Sequence, residues 1–215
     1  MVQEVATKGV DLNSVYSITL RQIRDQKGDR SRLGMEVLMW VSHAERPLRI
    51  DELRHALAVD VESTDLDREN IPPQDTVLGS CLGLAVVDPE TSAVRLIHHT
   101  LQKYLSQPGI LPDAHKTLGQ KCLTYLNYKS VWGLPANDVP NLEGMPFLEY
   151  SSLCWGSHAK IELRSSEITR SGIIKPGWQS YIHYVTSQTN KEFPLLFTPS
   201  SPMAWSTLCS LLRNC

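Results

Sequence analysis

Two short apolar segments joined by a polar turn occupy residues 84–96, with the sequence LAVVDPETSAVRL. The segments at 84–87 and 93–96 have the length and composition of β-strands, and the DPETS stretch between them predicts an antiparallel hairpin. A helix is predicted on each side. One spans 74–82 and ends at a glycine, and the other spans 99–106 and ends before a Gln-Pro-Gly turn.

Upstream of the hairpin, apolar residues recur with the helical period and predict helices at 11–26, 31–44 and 50–59. A polar loop at 60–70 leads into the helix that precedes the hairpin. Three helices followed by a two-stranded hairpin is the order of elements in a winged helix, so we predict a winged-helix domain at 29–107. The core-facing stripe of the first helix is predicted to contain Leu12, Val15, Tyr16, Thr19, Leu20 and Ile23.

The second half of the chain is again helical. Helices are predicted to begin at about residue 112 and to span 146–161, with a further one near 178–185 and a loop at 129–145. We therefore expect a mainly α protein, with a winged helix (three helices plus a short β-hairpin wing) followed by an α-helical spacer domain at 108–190. The apolar C-terminal stretch at 191–215 is predicted to be a poorly defined tail, and its abrupt end suggests a fragment of a larger protein.

The charge distribution argues against nucleic-acid binding. The net charge is −2, and the helix at 74–82, which would be the recognition helix, has no lysine or arginine. Phosphate contacts require cations at this surface. Between residues 60 and 92 the only basic residue is Arg68, against eight acidic ones: Asp60, Glu62, Asp65, Asp67, Glu69, Asp75, Asp88 and Glu90. A winged-helix nucleic-acid binder is therefore a remote alternative.

The cysteines and the apolar runs predict a cytoplasmic protein without a membrane partner. The five cysteines are scattered and form no CxxC pair, as expected for free thiols in a reducing compartment. The N-terminal MVQE has no basic start and no apolar segment behind it. The longest apolar stretch, at 81–87, is too short to span a bilayer.

No sequence motif predicts catalysis or metal binding. The chain lacks GxxxxGK, GxGxxG, HExxH and GxSxG. Cys154 and His158 lie one helical turn apart, but two ligands do not complete a metal site, and we interpret them as core residues. A thiolate–imidazole pair of Cys81 and His98 is disfavoured because an apolar environment keeps a thiol protonated. We predict no enzyme, no catalytic residue and no metal.

Residues 42–59 (SHAERPLRIDELRHALAV) resemble a stretch of fungal NACHT–ankyrin proteins, which are similar to NOD-like receptors. The resemblance covers about residues 12–162. It continues in LAVVD at 84–88, VRLIHHTLQKYL at 94–105, CLTYL at 122–126, PFLEYSS at 146–152 and WGSH at 155–158. In that family this region is the winged-helix module named after GPI inositol-deacylase, between a NACHT nucleotide-binding domain and ankyrin repeats. A GPI inositol-deacylase-like hydrolase is a remote alternative, since the chain has no serine elbow.

The resemblance implies a domain order and partners. Residues 1–28 would be a linker helix entering from a NACHT domain that this chain does not contain, and residues 205–209 resemble the opening of an ankyrin repeat. The partners would be a NACHT domain, in cis or in trans, and ankyrin repeats, without nucleic acid or membrane. No cofactor is expected in this chain itself, and ADP or ATP would act through the NACHT domain.

The resemblance also implies site residues. His98 matches a histidine that contacts the phosphates of bound ADP in NOD-like receptors, and a helix N-terminus can support such an anion contact. The alternative is that His98 only packs between the hairpin and the next helix. Two residues depart from the family pattern. Lys103 replaces a glutamate, and Arg49 replaces a small hydroxyl residue, which would leave Glu52 without its reciprocal capping partner. The remaining interaction or core signature consists of Trp40, Pro47, Leu53, Leu57, Tyr104 and Trp155.

The expected function is that of a non-catalytic regulatory segment of a NACHT-type (STAND) signal-transduction NTPase. It would hold the ADP-bound resting state and couple that state to the ankyrin repeats. Differential contacts in the two states would come from His98 and from the apolar faces around Trp40 and Trp155. The alternative is a free-standing protein-interaction module, a truncated paralogue of the full-length proteins.

Overall fold

A computed structural model describes residues 12–61, 63–132 and 144–165. Over these residues the chain is mainly helical, with one small antiparallel sheet, which confirms the predicted fold class. The elements in chain order are α1 (Leu12–Arg24), α2 (Arg30–His43), α3 (Ile50–Ala58), a 3-10 turn (Arg68–Asn70), α4 (Gln74–Ser80), β1 (Ala85–Val87), β2 (Val94–Leu96), α5 (His99–Leu105), α6 (Ala114–Leu126), α7 (Lys129–Trp132) and α8 (Leu148–Ser165).

The β-hairpin forms as its sequence predicts, with Val86 opposite Arg95 in an antiparallel register. Its turn is held by Asp88, whose Oδ1 accepts the backbone N–H groups of Glu90 and Thr91 at 3.0 and 3.1 Å. These two hydrogen bonds are the main reason why the pKa of Asp88 is lowered. Arg95 on the opposite strand forms an ion pair with the same carboxylate at 3.2 Å. The turn is therefore fixed by local hydrogen bonds as well as by strand pairing.

The chain immediately before α3 attaches the hairpin to the helices. The N–H of Val94 donates to the carbonyl of Leu48 at 2.8 Å, and the N–H of Ile50 donates to the carbonyl of Ser92 at 2.9 Å. Between them Arg49 and Ala93 form an isolated antiparallel bridge. The wing thus packs on the start of α3 instead of extending alone into solvent.

Helix α1 packs on the core through only part of its predicted stripe. Tyr16, Leu20 and Ile23 are buried, as predicted. Leu12 and Val15, which the periodicity also assigns to the core face, are 50% and 40% exposed. Both lie in the first turn of α1, whereas the buried members follow it. This part of the stripe prediction was wrong.

One hydrophobic core runs from α1 to α8. The fully buried ring of Trp40 in α2 contacts Phe147 edge-on, with 5.4 Å between centroids, and Tyr150 at 5.9 Å. Helices α6 and α8 pack closely at Gly119, where an added Cβ would lie 3.4 Å from the Cβ of His158. Residues before and after position 107 share this core. The domain boundary proposed at that position stays a prediction.

Two further predictions fall partly or wholly outside the described residues. The loop predicted at 129–145 begins with the short helix α7, and residues 133–143 are not described. The helix predicted near 178–185, the tail at 191–215 and the first residues of the linker helix are likewise not described. Among the helices that are described, none combines the length and the apolar character that crossing a bilayer requires.

Candidate functional site

His98 is the N-cap residue of α5. Its Nδ1 accepts the backbone N–H of Thr100 at 3.3 Å and lies 2.7 Å from the Thr100 hydroxyl. That hydroxyl is in turn 2.7 Å from the hydroxyl of Tyr16 in α1. An Nδ1 that accepts a hydrogen bond is unprotonated, so a neutral His98 carries its proton on Nε2. No hydrogen-bond partner from the described part of the chain reaches that nitrogen.

The His98 side chain is exposed, and so is that of His99, whose ring lies beside it with 4.5 Å between centroids. The alternative in which His98 packs between the hairpin and α5 is therefore not the observed arrangement. The residue that caps α5 is His98, not His99. His98, which matches the phosphate-contacting histidine in the family resemblance, therefore lies at the surface, where another domain could reach it.

Two exposed apolar side chains lie on the hairpin and at the end that leads into His98. Val86 is 47% exposed and Ile97 is 48% exposed. Val86 pairs with Arg95, two residues before Ile97, so both side chains lie on one face of the sheet as diagonal neighbours. We call Val86, Ile97 and His98 the wing surface.

The predicted signature residues divide between core and surface. Pro47 is exposed and Trp155 is half-buried. Trp40 is fully buried, so its own ring is not available to a partner, and the role of the apolar faces around it in differential contacts stays a prediction. The other buried members are Leu53, Leu57 and Tyr104.

Glu52 has partners despite the arginine at position 49. Its carboxylate, only 1% exposed, accepts the backbone N–H of Arg49 at 2.7 Å. Both carboxylate oxygens also accept from Arg46, at 2.7 and 3.0 Å. This bidentate ion pair raises the pKa of Arg46, chiefly through the hydrogen bond to Glu52. Glu52 thus keeps its own half of the capping box and gains an ion pair with Arg46. The reciprocal half is missing, as predicted, because the side chain of Arg49 makes no cap hydrogen bond.

A cluster of histidines lies where α2, α6 and α8 meet. The Nδ1 atoms of His115 and His158 are 2.9 Å apart, and the Nε2 of His158 is 2.9 Å from the hydroxyl of Tyr150. That hydroxyl accepts the backbone N–H of Glu45 at 3.0 Å, so it can donate its own proton to His158. The ring of His43 packs edge-on against His115, with 5.4 Å between centroids. Glu45, His115 and His158 each offer a ligand atom, and these atoms lie within 4.8 Å of one another.

Burial keeps this cluster neutral. The pKa of His158, which is 0% exposed, is lowered to about 3, first by burial and then by His115 and His43. The pKa of His115 is lowered by burial, and that of His43 by burial and by His115. Three uncharged imidazoles can act as hydrogen-bond acceptors or metal ligands at neutral pH.

Neither pair of residues that the sequence suggested, Cys154 with His158 or Cys81 with His98, forms a site in the structure. His158 contacts His115 and Tyr150, and Cys154 does not belong to the group of converging ligand atoms. Cys81 is fully buried, and burial raises the pKa of its thiol to about 11, whereas His98 is at the surface. His115 and Glu45 were missed, because no local spacing relates them to His158.

The described elements form a winged-helix domain. It consists of the helices α2, α3 and α4, a hairpin that is hydrogen-bonded to the start of α3, and the helix α5 that follows the hairpin. Residues 23–114 match the family model described as GPI inositol-deacylase, winged helix domain. This match covers less than half of the chain and supports the class of domain that the sequence pattern predicts. No curated protein and no solved structure matches the chain.

Proposed function

We propose that the chain is a non-catalytic regulatory segment of a NACHT-type signal-transduction NTPase. In this proposal it holds the nucleotide-binding domain in its ADP-bound resting state and couples that state to ankyrin repeats. The chain works in the cytoplasm, takes ADP or ATP only through the NACHT domain and needs no cofactor of its own.

The position of His98 is the observation that carries the proposal. Its Nδ1 is used for capping α5, so the Nε2–H of the neutral ring remains for a ligand outside the domain. A phosphate oxygen is a strong acceptor for such a donor. The α5 cap thereby holds the imidazole in one orientation, which limits the entropy lost when a nucleotide domain docks.

The wing surface supports docking beside that histidine. Val86 exposes apolar area on the hairpin and Ile97 does so directly before His98 in the chain, and burying such area on a partner contributes favourable free energy. A contact that is made in the ADP state and lost in the ATP state would shift the equilibrium toward the ADP-bound resting state.

The test replaces His98 with serine in a protein that joins this chain to a NACHT domain. Serine keeps an N-cap acceptor for α5 but removes the imidazole. We expect the dissociation rate of ADP to rise by about tenfold or more, because a charge-assisted hydrogen bond is worth about 1.5–3 kcal/mol. Release of a fluorescent ADP analogue measures this rate.

His99→Ser is the matched control, because it removes an exposed imidazole from the neighbouring position without touching the cap. We expect it to leave ADP release unchanged. Equal release from the His98→Ser variant and the unaltered protein would reject the sensor role. Binding of the chain to a NACHT protein only in trans, with no effect on nucleotide release, would instead favour the free-standing interaction module.

A further inference from the structure

We propose that Glu45, His115 and His158 form a binding site for one divalent transition-metal ion of the zinc type. This site lies in the interior contact between helices, and it is independent of the nucleotide-sensing function proposed for His98. Zn²⁺ favours nitrogen ligands from histidine together with oxygen from carboxylate, and two histidines with one glutamate form a familiar set.

The separation of the two imidazole nitrogens favours a shared ion. Zn–N bonds of about 2.0–2.1 Å in a tetrahedral site place two nitrogen ligands about 3.3 Å apart. The Nδ1 atoms of His115 and His158 are already 2.9 Å apart, so a small outward movement would make room for the ion between them. Glu45 is exposed, and its flexible side chain can supply the carboxylate from the solvent side.

Tyr150 can support the metal-bound form as well as the metal-free form. Without metal, the Tyr150 hydroxyl donates to Nε2 of His158, and the Nδ1–H of His158 donates to His115. When Nδ1 of His158 binds a metal, the ring proton shifts to Nε2, which then donates to the Tyr150 oxygen. Histidine ligands commonly donate their second N–H to an oxygen in this manner, which fixes the orientation of the ring.

The local charges allow a cation to bind. A metal ion binds the unprotonated ring nitrogen of histidine, and the two Nδ1 atoms that share a hydrogen bond at 2.9 Å include at least one that is unprotonated. A fixed cation in this region is Arg46, which lies 5.3 Å from the centroid of the Tyr150 ring. Its charge is offset by Glu52 at 2.7 Å and Glu149 at 3.6 Å.

The test titrates the full 215-residue chain with Zn²⁺ by calorimetry and with Co²⁺ by visible absorption. We expect one ion per chain, a Co²⁺ spectrum typical of nitrogen and oxygen ligands, and a Tm that rises with Zn²⁺ concentration because the ion binds the folded state. Glu45→Gln and His115→Gln should each weaken binding by about 10- to 100-fold. Glu45→Gln is the decisive variant, because this exposed side chain can change without disturbing the core.

His99→Gln is the matched control, because it removes an exposed imidazole that lies outside the cluster and does not cap α5. We expect it to bind Zn²⁺ as the unaltered chain does. No binding by the unaltered chain, equal binding by Glu45→Gln, or loss of binding only in the control would overturn the proposal. Circular dichroism of each variant separates lost ligands from lost folding.

Discussion

Gly34 in α2 is required by the close approach of two neighbouring helices. A Cβ at this position would lie 2.5 Å from the carbonyl oxygen of Ser80 and 2.8 Å from Cγ2 of Ile23. The Ser80 carbonyl is also held by the side chain of Gln26 at 2.7 Å, so it cannot move away without breaking that hydrogen bond. We expect Gly34→Ala to lower the free energy of unfolding by about 1–3 kcal/mol, measured by urea denaturation.

Gly79→Ala provides the control, because Gly79 also lies in a helix but an added Cβ there meets nothing within 4 Å. Alanine is favoured over glycine in a helix by about 1 kcal/mol. The control should therefore be as stable as the unaltered protein or more stable. Similar losses in both variants would show that α2 and α4 do not approach each other as closely as described.

At the scale of one element, α3 depends on Glu52 at its start. This carboxylate joins the first turn of the helix to Arg46 in the preceding turn. Glu52→Gln keeps the shape of the side chain but removes its charge. Because hydrogen bonds to charged groups contribute about 1.5–3 kcal/mol, we expect a loss of that size in the free energy of unfolding.

Glu149→Gln is the matched control, since Glu149 binds the same arginine from a side chain that is 55% exposed, at 3.6 Å. An exposed ion pair contributes about 0–1 kcal/mol, so this variant should scarcely change the denaturation midpoint. If the two variants lose equal stability, the buried ion pair is not what holds the start of α3.

The periodicity of the sequence predicts the type and order of most elements but not how far their neighbours extend. Apolar spacing located the helices and the hairpin because each buries one face. The same spacing assigned Leu12 and Val15 to the core, since it reports a face and contains no information on where the covering helices end. Helix α7 was missed because its four residues are too few to show a period.

The histidine cluster could not be predicted because tertiary packing alone creates it. His115 and His158 are 43 residues apart and meet only where α6 packs on α8. Lys121 shows the same limitation. It is buried against Glu36 of α2 and faces the last carbonyls of α3, although nothing in its local sequence distinguishes it from a surface lysine. The helix predicted at 99–106 did place His98 at the start of α5.

At the scale of the whole molecule, α2 and α8 should unfold together because their aromatic side chains share one core. We expect Phe147→Ala to lower the free energy of unfolding by about 3–5 kcal/mol. Because Phe147 contacts Trp40, the variant should also reduce hydrogen-exchange protection in α2. Exchange measured by mass spectrometry reports both helices in one experiment.

Leu153→Ala in α8, the helix that begins directly after Phe147, is the control, because Leu153 is 71% exposed and its truncation should change stability by no more than about 0.5 kcal/mol. If Phe147→Ala removed protection from α8 but left α2 protected, the two helices would belong to separate cooperative units.

The contact of Trp40 with Phe147 and Tyr150 has a consequence for gene rearrangement. The family match ends at residue 114, but two of the rings that cover Trp40, those of Phe147 and Tyr150, are encoded further downstream. A recombination event that moved only the matched segment into another gene would separate this tryptophan from the rings that shield it. Such a transfer would be expected to succeed when the downstream helices travel with the segment, or when the new host supplies aromatic residues of its own at the same place.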